Sequence, residues 1–202
     1  MVERAGGTGT RPGGRSARVR ASVLAATLDE LVDVGYAQLS LEAIARRAGV
    51  HKTTVYRRWG SREAVLEDAL LAYADRRVPI PNTGSLRGDL EELVRNVVEN
   101  VSSPQTEAIL RALVAAADRD RALAEIGRRY WERRFALAGE IARRAAARGE
   151  LSPEVDPSFV IEALVAPIYL RLLLTFEPLD DGFLGRVVDT VLAGAVAEGD
   201  RA

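Results

Sequence analysis

From His51 to Arg58 the chain reads HKTTVYRR. Lys52, Thr53, Thr54, Tyr56, Arg57 and Arg58 all carry hydrogen-bond donors there, and no carboxylate falls among them. Ammonium, hydroxyl and guanidinium groups are what phosphate oxygens and the acceptor edges of bases attract. Other chemistries are poorly supplied. Cysteine is absent, His51 is the only histidine, and there is no glycine-rich phosphate loop. Thiolate and His-cluster metal sites and His-dependent triads are thereby excluded, so no catalytic residue, metal or cofactor is expected. Glu91/Glu92 and Asp180/Asp181 are carboxylate pairs, but both fall on predicted solvated surfaces.

The donor stretch needs an element to present it. Leu41, Ile44, Ala45 and Ala48 fall at i, i+3, i+4 and i+7, one apolar face of a helix. Ser40 stands where a hydroxyl caps the first turn. Gly49 follows the last apolar residue, where a left-handed backbone costs glycine little. A second helix from about His51 to Arg58 then has Val50, Val55 and Trp59 as its expected buried positions. Two helices with so short a turn form a helix-turn-helix, whose second helix enters the DNA major groove. An ordinary helical pair with a basic face explains the charge but not the coincidence of cap, turn glycine, spacing and donor-only surface.

The stretch LSLEAIARRAGVHKTTVYRRWGSREAVLEDAL resembles the DNA-binding domain of TetR/AcrR-type transcriptional regulators. The shared pattern is the AGV turn, a K-x-T-hydrophobic-Tyr recognition helix and a Ser-Arg-Glu helix start, gap-free over roughly residues 18–70. Arg58 and Trp59 depart from it, standing where histidine or tyrosine and phenylalanine are commoner. The resemblance implies phosphate contacts from Lys52 and Tyr56, helped by the Ser40 cap and by Arg62. It also implies that Thr53, Thr54 and His51 approach base edges, while Arg57 and Arg58 add phosphate contacts or one base contact.

The rest of the chain reads as all-α, about nine helices. Three parts are expected: a flexible N-terminal arm (1–15), a three-helix DNA-binding domain with the helix-turn-helix (16–76), and a larger helical effector-binding and dimerisation domain (77–202). Residues 1–62 hold 11 Lys+Arg against 5 Asp+Glu, a net of +6, whereas the remainder carries −7. A basic head on an acidic body suits a protein that touches DNA at one end. Helix 1 is expected over about Ser16–Val34, with Val23, Leu24, Leu28, Leu31 and Val32 as its apolar stripe. RVPIPNTGS (77–85) reads as a hinge-like loop, and a long helix spans about Asp120–Arg148. Absence of an apolar run after the first methionine leads to a cytoplasmic expectation.

An eighth helix (SFVIEALVAPIYLRLLLTF, 158–176) is apolar nearly all round, and a ninth covers about Gly182–Ala197. Glu162, Pro167 and Arg171 argue against a membrane span, so no membrane partner is expected. The excess apolar surface of these two helices is the expected homodimer contact, through which two heads would read a palindrome in double-stranded DNA. The resemblance implies the same pairing, as a four-helix bundle; residues 148–194 also resemble the C-terminal domain of one TetR-type subgroup. It further implies a body cavity for a small-molecule effector that releases DNA, and so apolar a body favours a hydrophobic one. Tyr130, Trp131, Phe135, Tyr169 and Phe176 are candidate walls, with Asn96, Asn100 and Arg111 as polar anchors. The competing readings are plain core for the aromatic stripe, and a ligand-independent regulator acting through DNA or partner proteins alone. Arg4, Arg11 and Arg15 in the glycine-rich start are read either as a minor-groove arm or as a solubilising tail. Deleting residues 2–14 separates the two: an arm predicts weaker DNA binding and a shallower salt dependence, a tail predicts neither.

Overall fold

The computed structural model describes residues 14–117 and 119–195. Most of the expected arm, including Arg4 and Arg11, lies outside them, while Arg15 stands in the first turn of a helix. Among the described residues every regular element is helical. The chain divides into two compact units, 1–69 and 70–202.

The first unit holds α1 (Gly14–Val34), a 3-10 turn (Tyr36–Gln38), α2 (Leu41–Ala48), α3 (Lys52–Trp59) and the start of α4 (Arg62–Arg77). Val23, Leu24, Leu28 and Leu31 of α1 are buried together with Tyr36, Ile44, Val55, Val65 and Leu66. Val32, expected in that stripe, is exposed, whereas Thr27 is fully buried, its hydroxyl donating to the Val23 carbonyl (2.8 Å). The Arg47 guanidinium ties α2 to α1 by donating to Glu30 (2.7 Å) and Asp33 (2.6 Å).

The second unit contains the end of α4, then α5 (Leu86–Val101), α6 (Pro104–Ala117), α7 (Arg121–Ala138), α8 (Glu140–Ala147), α9 (Pro157–Leu170) and α10 (Asp181–Ala195). α7 and α8 are the halves of the one long helix expected from sequence. They meet at Gly139, where a β-carbon would lie 3.0 Å from the Phe135 carbonyl oxygen and 3.3 Å from Pro157. The missing side chain lets the N-terminus of α9 rest against the joint. Leu90, Leu93, Val97, Ile141, Leu164, Ile168 and Val188 lie in the core of this unit.

Two polar groups hold that unit's corners. Asp89 is fully buried and accepts from the Thr83 amide, the Thr83 hydroxyl (2.8 Å) and Arg144 (3.4 Å), which pins the loop read as a hinge. Arg134 is buried on α7 and donates to Asp75 (2.9 Å) and to the Val78 carbonyl (2.9 Å) at the end of α4. Leu137, on the same helix, is exposed.

α9 contains Pro167, which lacks the N–H that a helix interior uses, and the helix widens into a π-turn at Arg171–Thr175. The turn stops at Phe176, whose φ is 55°. Pro157–Thr175 is long and apolar enough to cross a membrane, with mean hydropathy 1.7, yet only 28% of that window is buried within the chain. Arg171 interrupts it, paired with Glu177 (2.9 Å) and 3.7 Å above the Phe183 ring.

Replacing buried Arg134 by methionine strands the Asp75 carboxylate and the Val78 carbonyl. Asp75 is half exposed, so the expected loss is at the modest end, about 1–3 kcal/mol in urea unfolding.

Candidate nucleic-acid interface and ligand cavity

α3 is held by its surroundings more than by itself. The Ser40 hydroxyl accepts from the Ala43 amide (3.2 Å) and starts α2. Gly49 ends it at φ 66°, ψ 32°, and the next amide, of Val50, returns to the Ala45 carbonyl (3.0 Å). A β-carbon in that left-handed conformation costs about 1–2 kcal/mol. The chain then turns into α3, where Val55 is the one fully buried residue. Trp59 and Val50, expected inside, are only half-buried. The Trp59 indole donates to Asp68 (2.9 Å), which also pairs with Arg20 of α1, so the far end of α3 is anchored at both α1 and α4.

With Val55 inward, the other side chains face solvent. His51, Lys52, Thr53, Tyr56, Arg57 and Arg58 are exposed and Thr54 is half-buried. His51 stands as the N-cap residue without a side-chain cap bond. Arg58 lies 5.2 Å above the Trp59 ring and reaches Ser16 (3.3 Å). Arg62 is committed locally: it donates to Glu63 (2.9 Å) and stacks 4.5 Å above the Tyr36 ring.

One residue on this surface escaped the sequence reading. Glu42, exposed on α2, accepts a hydrogen bond from the Tyr56 hydroxyl (2.6 Å). That bond holds the Glu42 carboxyl below its ordinary range and pushes the Tyr56 phenol up. The two residues are 14 apart in sequence, on different helices, so no periodicity signals the contact.

The second unit has a half-open cavity of about 790 Å³ among α4, α5, α6, α7 and α9. Asn100, Tyr130, Trp131, Phe135 and Tyr169 line it, together with Leu110, Leu113 and Val114 of α6. Leu110 and Leu113 are half-buried and Val114 is exposed where their face meets the cavity. Trp131 stacks on Phe135 (centroids 5.3 Å apart) and meets Tyr130 (5.1 Å) and Tyr169 (5.0 Å) edge to face.

Two expected anchors, Arg111 and Asn96, and one expected wall residue, Phe176, lie away from it. Arg111 points to solvent and pairs with Glu107 one turn back (2.8 Å). Asn96, one turn before Asn100 on α5, is not among the lining residues, its Nδ2 buried and without a partner among the described residues. Phe176 sits beyond the π-turn, 68% exposed. Tyr73 and Thr106, which the sequence reading did not select, are on the wall, joined by a 2.8 Å hydroxyl–hydroxyl contact. Among the described residues no group of three or more His, Cys, Asp or Glu is placed to hold a metal.

Burial pushes the Tyr130 and Tyr169 phenols above their ordinary value of 10. A folded-state pKa above the unfolded one leaves stability intact below pH 10 and erodes it as pH rises toward the folded values. We expect the Tyr130→Phe/Tyr169→Phe double variant to lose less stability than the parent between about pH 9 and 11 in urea titrations.

Comparison with known proteins agrees in both units. Residues 23–69 match the family described as bacterial regulatory proteins, tetR family, and residues 80–191 the family described as tetracyclin repressor-like, C-terminal domain. The chain is 31% identical over 188 residues to the HTH-type transcriptional regulator AqdR of Rhodococcus erythropolis, covering 93% of this chain and 90% of the relative. It is 31% identical over 183 residues to the DNA-binding transcriptional repressor TetR of Mycobacteroides abscessus, covering 90% and 95%. The crystal structure of the TetR family transcription regulator SCO0332 superposes with a TM-score of 0.72 at 36% identity, covering 89% of this chain and all of that one. With the helix-turn-helix unit and the helical second unit each matched, the chain belongs to the TetR family of helix-turn-helix transcriptional regulators.

Proposed function

We propose that the protein is a cytoplasmic, homodimeric repressor that binds a palindromic operator and leaves it when a small apolar ligand fills the cavity of the second unit. The observation that carries the DNA reading is α3, which buries Val55 and turns a run of hydrogen-bond donors to solvent. Lys52 and Tyr56 are assigned to phosphates, and Thr53, Thr54 and His51 to base edges. Arg57 and Arg58 add phosphate contacts or one base contact. Ser40 acts by capping α2. Arg62, held between Glu63 and the Tyr36 ring, would have to release one of them to reach a phosphate.

The dimer reading rests on α9 and α10, the eighth and ninth helices of the sequence analysis. Phe159 (62% exposed), Leu170 and Leu174 (70%) present large apolar surface, and a groove of about 570 Å³ runs between the two helices. One helix-turn-helix reads few base pairs; two, spaced ~34–36 Å or a multiple, read an inverted repeat. The cavity supports an effector over a ligand-independent regulator. A ligand releases DNA only if it binds the released state more tightly. α4 offers a route for that bias, since Leu70, Tyr73 and Ala74 line the cavity on the helix that begins at Arg62.

Retention of sheared genomic DNA at near-physiological salt, followed by sequencing, is expected to enrich sites sharing an inverted repeat; salt-sensitive retention without a shared motif would defeat the operator reading. Lys52→Ala should weaken all sequences alike and lower the salt slope by about one. Thr54→Ala should relax preference at one position by ~1–3 kcal/mol. Light scattering should give twice 21.9 kDa for the parent and a monomeric mass for Phe159→Glu.

A further inference from the structure

We infer that the cavity of the second unit selects an uncharged, flat aromatic molecule bearing a carbonyl oxygen, which receives hydrogen bonds from Tyr130, Tyr169 and Asn100. This rests on the reading of that cavity as the effector site and specifies what fills it.

Buried tyrosine hydroxyls ordinarily find a partner. Here Tyr130 and Tyr169 are half-buried and both line the cavity, and neither hydroxyl bonds any described residue. Asn100 supplies the third donor. Its Oδ1 accepts from the Thr106 hydroxyl (3.1 Å), whose oxygen in turn lies 2.8 Å from both the Ser103 and the Tyr73 hydroxyls. That network engages the carbonyl side of the amide, and the Asn100 NH2 bonds no described residue. An amide nitrogen only donates, and a phenol donates well, so the complementary ligand group is an acceptor.

Charge narrows the class further. Arg128 is the cation on the wall among the described residues, and its guanidinium is engaged by Glu125 (2.8 and 3.0 Å) and Glu132 (2.9 Å). The same pairing holds Glu125 at a pKa of about 2. Arg134, whose field reaches both phenols, is committed to Asp75 and the Val78 carbonyl. An anionic ligand would therefore enter an apolar space with no cation at its disposal, a desolvation that is costly. Glu162 is the acid on the wall, and it is exposed to water. The flatness follows from the wall itself: Trp131, Phe135, Tyr130 and Tyr169 form one aromatic cluster whose faces and edges suit a fused ring.

Calorimetry of the full chain with four tricyclic probes tests this. The probes are xanthone, xanthene (its carbonyl replaced by CH2), xanthone-2-carboxylate, and 9-aminoacridine as the cation. Xanthone is expected to bind most tightly, about tenfold or more over xanthene, because bound xanthene would cover the donors and leave them unpaired. Tyr130→Phe/Tyr169→Phe should bring xanthone down to the xanthene level while xanthene binding persists, which also shows that the variant is folded. Equal or tighter binding of xanthene overturns the carbonyl assignment. Tighter binding of the carboxylate or of aminoacridine overturns the neutral class, the latter pointing to Glu162. No binding by any of the four overturns the proposal altogether. Release of a retained DNA fragment is scored separately. Selective xanthone binding without release defeats the effector reading and leaves the site's preference standing. Release by a compound of another class does the reverse.

Discussion

An eight-residue helix that buries a single side chain cannot hold its own shape, because helix nucleation is unfavourable and short helices are marginal in water. Everything around α3 compensates. The Ser40 cap starts α2, Gly49 turns the chain in a left-handed conformation, and Arg47 fastens α2 to α1. Asp68 closes the arrangement from the other end by holding both Trp59 and Arg20. The functional gain is that nearly the whole circumference of α3 is left for contacts. A helix with a broad buried face would be steadier alone and would offer fewer side chains to DNA.

The second unit solves a different problem: it keeps a cavity of about 790 Å³ open inside a helical body. Tight packing is the usual state of protein interiors. Here the aromatic cluster on α7 and α9 props one wall with rigid rings, and α6 lines the space with Leu110 and Leu113. Polar groups hold the frame at its edges, with Asp89 at the loop before α5 and Arg134 at the end of α4. Both are buried with specific partners, so removing one partner leaves an unpaired polar group rather than a simple hole.

Glu42 changes the picture of the DNA-facing surface. A donor-only α3 is accompanied by a carboxylate from α2 that accepts from the Tyr56 hydroxyl. On the proposed phosphate assignment Tyr56 must first break that bond, so the tyrosine's contribution would be a difference between two hydrogen bonds. The contact is exposed and exchangeable with water, which keeps the difference small.

The sequence alone determined the local features, because they rest on neighbours within a turn or two of helix. The Ser40 cap, the Gly49 turn, the inward Val55 and the near-complete helicity are of this kind, as is the DNA-binding family pattern from Leu39 to Leu70. The aromatic residues Tyr130, Trp131, Phe135 and Tyr169 were also visible as a set. Whether they made a core or a cavity was not, since an apolar stripe has the same period in both. Tertiary structure decided that question, and it replaced Asn96, Arg111 and Phe176 with Tyr73 and Thr106 on the wall. It also put Arg134 inside, against its ordinary preference, because the end of α4 presents Asp75 and the Val78 carbonyl at that point. Glu42 with Tyr56 and Asp68 with Arg20 and Trp59 belong to the same class. Such contacts join separate elements, and their partners are chosen by how helices pack rather than by any spacing along the chain.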